Sequence, residues 1–306
     1  MAQKIVFFGN ERLATGVTTA APTLSALVAA GYEVAAVVVA QNHAGKSRQG
    51  RDLEVAVVTN HHNIPLLAPR HLSDITDELK EYGAEAAVLI AFGKLIPEEI
   101  LNVFPKGIIN VHPSLLPKHR GPTPIESVIA DGDEKTGVSL IKLIPKMDAG
   151  PIYAQQTVEL HGDESKQQLA DQLSGIGKAM LLEHLPAILD GSLKPEDQKE
   201  LEATFDKKLE KSATQLDFLR KPADRLAREV RAYIGWPRSR ARLGTAEIII
   251  TEAHAIEAGG TAGTLFLDGH TLGLHAKEGT LIIDKLIPPG RKEMTAAAYL
   301  AGNVTF

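Results

Sequence analysis

Asn110 and His112 stand two residues apart in the run Ile108-Ile109-Asn110-Val111-His112, and Asp148 follows in the turn-like stretch Lys146-Met147-Asp148-Ala149-Gly150. An amide, an imidazole and a carboxylate, without a Ser or Cys nucleophile or a metal among them, do not readily form a covalent acyl-enzyme. They suit direct transfer of an acyl group to an amine. The amine attacks an activated carbonyl, Asn110 and a protonated His112 stabilise the oxyanion, and Asp148 with an ordered water removes the ammonium proton. Asp148 can also hold His112 in one tautomer.

Chemistry of this kind needs its groups on one face of a rigid element. Residues two apart in a strand project from the same face, and open α/β sheets build their sites at the carboxyl ends of central strands. The runs 4–9, 33–40, 84–93 and 107–112 are continuously apolar and rich in Val, Ile and Ala, and helix-length segments 18–30, 74–82 and 97–103 lie among them. Such runs read as buried parallel strands with crossover helices, hence an N-terminal doubly wound, Rossmann-like α/β domain. The stretch 109–126 starts as the last of these strands and then spends its prolines on a loop that does not continue as a helix. A Pro-dense loop loses little entropy on ordering and is expected to present backbone N–H and C=O groups at fixed positions to a flat heterocycle. Residues 137–144 and 151–160 flank the Asp148 turn as a hairpin added to the sheet, and a long helix is predicted over 165–189.

The catalytic domain is accordingly placed at 1–190, a polar linker at 191–206, and a second domain at 207–306. In the latter, a helix over 222–233 with Pro at its start precedes short Gly-punctuated strands, the pattern of a small β-barrel.

Composition narrows the alternatives. The 306-residue chain is 44% hydrophobic and 23% charged, enough for a substantial core, and it contains no Cys, which excludes disulfides and Cys-type metal centres. The apolar run at the start is too short for a signal or a membrane span, so a cytoplasmic protein without a membrane partner is expected, and a monomer. A dinucleotide fingerprint is missing, because Gly9 is followed only by Gly16, and "HAGKSRQG" lacks the upstream Gly of a Walker loop. The pair His61-His62 reads as an exposed polar turn, not a metal site; no metal is expected in catalysis. Charge is uneven: the net value is −5, yet eleven basic residues face four acidic ones between Lys207 and Arg242, a local excess of +7. Such a stretch is either a solvated helix face or a nucleic-acid surface.

The pattern Asn-x-His at 110–112, Ser-Leu-Leu-Pro-x-x-Arg-Gly at 114–121 and Asp-x-Gly at 148–150 resembles the core of the folate-dependent formyltransferases. That resemblance implies 10-formyltetrahydrofolate as co-substrate, catalysis by Asn110, His112 and Asp148, and a folate pocket lined by Ser114, Leu115, Leu116 and Pro117, with Phe92 and Gly93 of "AFGKLIP" beside it. The segments "QNHAGKSRQGRDLE", "LAREVRAYIGWPRSRARL" and "IPPGRKEMTAAAYLAGN" extend the similarity over nearly the whole chain, toward the branch that formylates initiator methionyl-tRNA. They imply an OB-like C-terminal barrel. They also imply tRNA contacts from Lys46, Arg48 and Arg51 in the first segment and from Lys207, Lys208, Lys211, Arg238 and Arg240. A sugar-nucleotide amine is the alternative acceptor. Two departures stand out: Gly9-Asn10-Glu11 replaces the family's Gly-Thr-Pro, and Arg120-Gly121-Pro122-Thr123-Pro124-Ile125 replaces Arg-Gly-Ala-Ala-Pro-Ile.

Overall fold

The computed structural model describes residues 3–40, 53–210 and 214–302. It divides into two compact units: Met1–Pro124 with Lys135–Glu159 and Gln167–Lys207, and Ile125–Glu134 with Leu160–Lys166 and Lys208–Phe306.

In chain order the first half comprises β1 (Lys4–Gly9), α1 (Pro22–Ala29), β2 (Glu33–Val38), α2 (Glu54–His62), β3 (Leu66–Leu67), α3 (Thr76–Glu81), β4 (Ala86–Ile90), α4 (Glu98–Leu101), β5 (Ile108–His112), α5 (Pro124–Asp131), β6 (Lys135–Lys142), β7 (Ile152–Glu159) and α6 (Lys166–Asp190). The seven strands of the first unit form one sheet in the order β3-β2-β1-β4-β5-β6-β7. β1 to β5 pair in parallel, and β6 and β7 add an antiparallel hairpin. The order reverses between β1 and β4, which makes this a doubly wound sheet. The central strands β1 and β4 are apolar and buried because they are covered on both faces; Val6, Phe8, Ala87, Leu89 and Ile108 pack with Leu79, Phe92, Ile100 and Phe104 in one such core.

Local sequence explains where these elements stop and start. α1 begins with Pro22, which suits a first helical turn because it has no N–H to leave unpaired. Its N-cap, Ala21, supplies no side-chain acceptor. Glu11 does so instead: its Oε2 accepts from the backbone N–H of Thr23 and its Oε1 from that of Leu24, both at 2.8 Å. Two expectations need correction. His61 and His62 do not lie in a turn but end α2, exposed, where basic side chains meet the carbonyl end of the helix dipole. The Pro-rich stretch does turn helical within 109–126, because Pro124 takes the opening position of α5.

The second unit contains α7 (Ala223–Ala232), β8 (Ser239–Leu243), β9 (Ala246–Ile256), β10 (Leu265–Asp268), β11 (Thr271–His275), β12 (Thr280–Ile287), β13 (Met294–Thr295) and α8 (Ala296–Leu300). Its sheet is antiparallel throughout, in the order β10-β11-β12-β9-β8 with β13 on β12, the half-barrel arrangement expected of the C-terminal domain. Leu226 and Val230 of α7 pack with Ile248, Ile250, Leu272, Leu281 and Leu286 to close its core. Among the described residues no helix is long and apolar enough to cross a membrane.

Candidate active site

Strand β5 carries Asn110 and His112 with 6% and 5% of their surfaces exposed, opposite Ile141 and Ser139 of β6. Asp148 comes from the β6–β7 connection and meets both. Its Oδ1 lies 3.4 Å from Asn110 Nδ2 and 3.7 Å from His112 Nδ1, and its Oδ2 accepts from the backbone N–H of Gly121 at 2.8 Å. The three residues singled out from the sequence thus converge. Asp148 has φ 47°, a left-handed conformation that Asp tolerates better than most residues. Gly150 completes the turn because a Cβ there would stand 1.7 Å from the carbonyl oxygen of Lys142.

The protonation of His112 follows from its partners. Nε2 is 3.0 Å from the carbonyl oxygen of His119, which can only accept, so Nε2 carries the proton. In the neutral ring the Nδ1 lone pair then faces the Asp148 carboxylate, and the 3.7 Å separation suits two groups that both lack a proton. Protonation of Nδ1 turns this contact into an ion pair. His112 Nδ1 and Asn110 Nδ2 thus both face the Asp148 carboxylate.

The loop 113–121 spends its carbonyls on the protein. Ser114 O accepts from Ser139 Oγ, Leu115 O from Lys118 N–H, Leu116 O from Gln155 Nε2, Pro117 O from Thr204 N–H and Lys118 O from Ser114 Oγ. Ser139 Oγ also accepts from the N–H of Leu116. Each of these carbonyls thus accepts one bond within the protein and keeps a second lone pair. What the loop leaves open is side-chain surface, with Leu115 and Pro117 half-buried and Ser114 and Leu116 buried. Phe92 is packed edge-on against Phe8, ring centroids 5.6 Å apart, so it serves the core. Gly93 is exposed, with open space where a Cβ would be.

Several residues of the site escaped sequence reasoning. The polar segment 191–206, expected as a linker, is bonded from Gln198 onward to the loop and the Asp148 turn. Gln198 Nε2 donates to the carbonyls of Asp148 and Gly150 at 2.8 and 2.7 Å, and its Oε1 accepts from Arg120 Nε and Nη2 at 3.1 and 2.9 Å. Arg120, 1% exposed, reaches Glu200 through Nη1 at 2.9 Å. Lys146 and Arg120 hold the Glu200 carboxyl below its usual range. No sequence signal marks Gln198. Ser139 and Gln155 could have been found, since they are opposed in the hairpin register and both are polar in strands that need not be.

The candidate tRNA contacts fall only partly among the described residues. Lys46, Arg48, Arg51 and Lys211 lie outside the described residues. Lys207, Lys208 and Arg238 are exposed and make no ion pair among the described residues, whereas Arg240 pairs with Glu247 at 2.6 Å. Two acids outside the stretch offset part of the local +7, Glu247 on Arg240 and Asp131 on Arg225, while Lys221–Glu229 and Arg228–Asp224 pair residues already counted within it. No group of three or more His, Asp or Glu among the described residues is placed to hold a metal.

A family model described as formyl transferase matches residues 3–185, and one described as formyl transferase, C-terminal domain, matches residues 208–304. The chain belongs to the formyl transferase family. Two relatives named methionyl-tRNA formyltransferase show how far the likeness of this formyl transferase runs. The one from Methylococcus capsulatus is 32% identical over 97% of this chain and 96% of its own. That from Chloroflexus aurantiacus is 34% identical over 98% and 96%. The crystal structure of an N-formyltransferase from Helicobacter canadensis, in complex with folinic acid and dTDP-3-aminofucose, shares the fold with a TM-score of 0.68 at 14% identity, over 96% of this chain and 100% of that one. Formyl transfer is acyl transfer, the class of reaction expected from the sequence.

Proposed function

We propose that this formyl transferase moves the formyl group of 10-formyltetrahydrofolate to the α-amino group of methionine on initiator methionyl-tRNA, without a metal or a covalent enzyme intermediate. The observation that carries the reading is the constellation of Asn110 Nδ2, His112 Nδ1 and Asp148 Oδ1 within 3.4–3.7 Å, in a chain 32–34% identical, nearly end to end, to relatives of that name. The amine nitrogen attacks the formyl carbon. Asn110 Nδ2 and the protonated Nδ1 of His112 stabilise the oxyanion, and Asp148 takes the ammonium proton through a water. The C–N10 bond then breaks, and N10 receives the proton from His112. Ser114 to Pro117 and Gly93 form the folate side of the site; the buried ring of Phe92 supports it from behind. Lys207, Lys208 and Arg238 contact tRNA phosphates, together with Lys46, Arg48, Arg51 and Lys211; Arg240 must exchange its bond to Glu247 to join them.

The test is a formyl-transfer assay with 10-formyltetrahydrofolate, offering methionyl initiator tRNA and a panel of amino-sugar nucleotides. Transfer to the tRNA alone supports the reading. Transfer to a sugar would keep the mechanism and replace the acceptor. Charge reversal of Lys208 and Arg238 should weaken tRNA binding and flatten its salt dependence, while folate binding stays unchanged.

A further inference from the structure

His119 is a buried histidine in the left-handed region, with φ 58° and 8% of its surface exposed. A β-carbon makes that conformation cost about 1 kcal/mol or more, so something must hold it. The residues that do so lie on the strap that follows α6. The peptide unit between His119 and Arg120 is gripped at both ends: its N–H donates to Thr204 O at 3.0 Å and its carbonyl accepts from His112 Nε2 at 3.0 Å. Beside it, His119 N–H donates to Thr204 Oγ1 at 2.8 Å, Arg120 O accepts from Asp206 N–H at 2.7 Å, and His119 Nδ1 lies 3.0 Å from Asp206 Oδ1. Gly121 lets the strap come this near, since a Cβ there would stand 2.7 Å from Asp206 O. The second carboxylate oxygen of Asp206 is buried without a hydrogen-bond partner, so the side chain is spent on His119.

We propose that Thr204 and Asp206 are positioning residues for formyl transfer: they hold the His119–Arg120 peptide so that its carbonyl fixes His112 as the Nε2–H tautomer, with Nδ1 open toward Asp148. The proposal rests on the reading of His112 as the group that handles the proton. Hydrogen bonds at both ends of one amide polarise it, which makes the carbonyl a stronger acceptor for His112 than an isolated peptide. If the strap's grip is lost, the His119 backbone relaxes, Nε2–H loses its acceptor, and either ring nitrogen can carry the proton.

The experiment records the ¹⁵N resonances of the His112 ring in the free enzyme and measures kcat and KM, for wild type, Thr204→Val, Asp206→Ala and the conservative pair Thr204→Ser and Asp206→Asn. Wild type and the conservative variants, which keep an acceptor toward His119, should show a single Nε2–H tautomer. Thr204→Val and Asp206→Ala should show a mixture, with kcat lowered about 10-fold and KM for both substrates unchanged. Two independent variants guard against one that fails to fold. A His112 tautomer unchanged in both disruptive variants would overturn the proposal directly. A mixed tautomer with unchanged kcat would overturn it through its premise, the role of His112. Because the tautomer is read without substrate, the first outcome does not depend on which amine accepts the formyl group.

Discussion

Strands β1 and β5 run parallel in one sheet, yet their carboxyl ends are finished in opposite ways. After β1 the chain turns through Gly9-Asn10-Glu11 and plugs the start of α1 with its own carboxylate; Glu11 is 1% exposed and takes two backbone N–H groups at 2.8 Å. A helix N-terminus after a first strand is where an anion would otherwise bind, and here the protein has filled it. After β5 the chain does the reverse. Asn110 and His112 end the strand with polar atoms turned toward Asp148, and the loop and strap beyond them use hydrogen bonds to fix those atoms in place. One strand end is closed by chemistry, the other is held open for it. The contrast explains why a doubly wound sheet here lacks a nucleotide fingerprint and still has a site.

Changes at the open end should cost turnover, and the largest effect is expected at Asp148. Asp148→Asn keeps an acceptor for Gly121 but removes the base, and should lower kcat on the order of 100-fold with folate affinity nearly unchanged, measured by steady-state transfer and folate titration. A comparable rate would take the carboxylate out of the mechanism. Gln198→Ala, which frees the carbonyls of Asp148 and Gly150, should cost on the order of 10-fold in kcat, without the loss of binding that a general unfolding would bring.

Changes at the closed end should cost stability instead. Glu11→Ala leaves two buried N–H groups unpaired and is expected to lower the unfolding free energy by about 2 kcal/mol in denaturant titration, with kcat close to wild type. A variant equally stable but inactive would reverse the roles assigned to the two strand ends. A smaller effect appears in pH. Burial pushes the Glu11 carboxyl above its ordinary value of 4.5, against the two N–H groups and Lys178, which favour the charged form. The folded state therefore holds the proton to higher pH than the unfolded chain. The contribution of this group to stability is fully present below 4.5 and is lost as pH rises through the folded value. In the difference between wild type and Glu11→Gln, wild type should lose ground from pH 4.5 upward and then level off; a difference that grows with pH would contradict the burial.

How much of this was legible in the sequence divides along the same line. The apolar runs marked β1, β2, β4 and β5 but not the two-residue β3, and the two-residue spacing of Asn110 and His112 put them on one face because a strand has period two. Asp148 could be placed beside them because the segments flanking it alternate as a hairpin. The strap could not be read. Gln198, Thr204 and Asp206 lie in a polar stretch whose composition is that of a linker, and their role depends on hydrogen bonds to backbone far away in sequence, which no local pattern records. Glu11 was visible only as a departure from Gly-Thr-Pro, since its partners at Thr23 and Leu24 are joined to it by the fold. The His61-His62 pair misled for the converse reason: polar residues closing a helix look like a turn when the buried face of α2, Val55, Ala56 and Thr59, is short.

The central claim is that His112, held by its neighbours with Nδ1 toward Asp148, handles the proton in direct transfer. The most direct measurement is single-turnover formyl transfer by His112→Ala, with donor and acceptor both saturating so that binding drops out. The account predicts a rate reduced on the order of 100-fold or more, with the variant folded and folate affinity retained. A rate equal to wild type would contradict it.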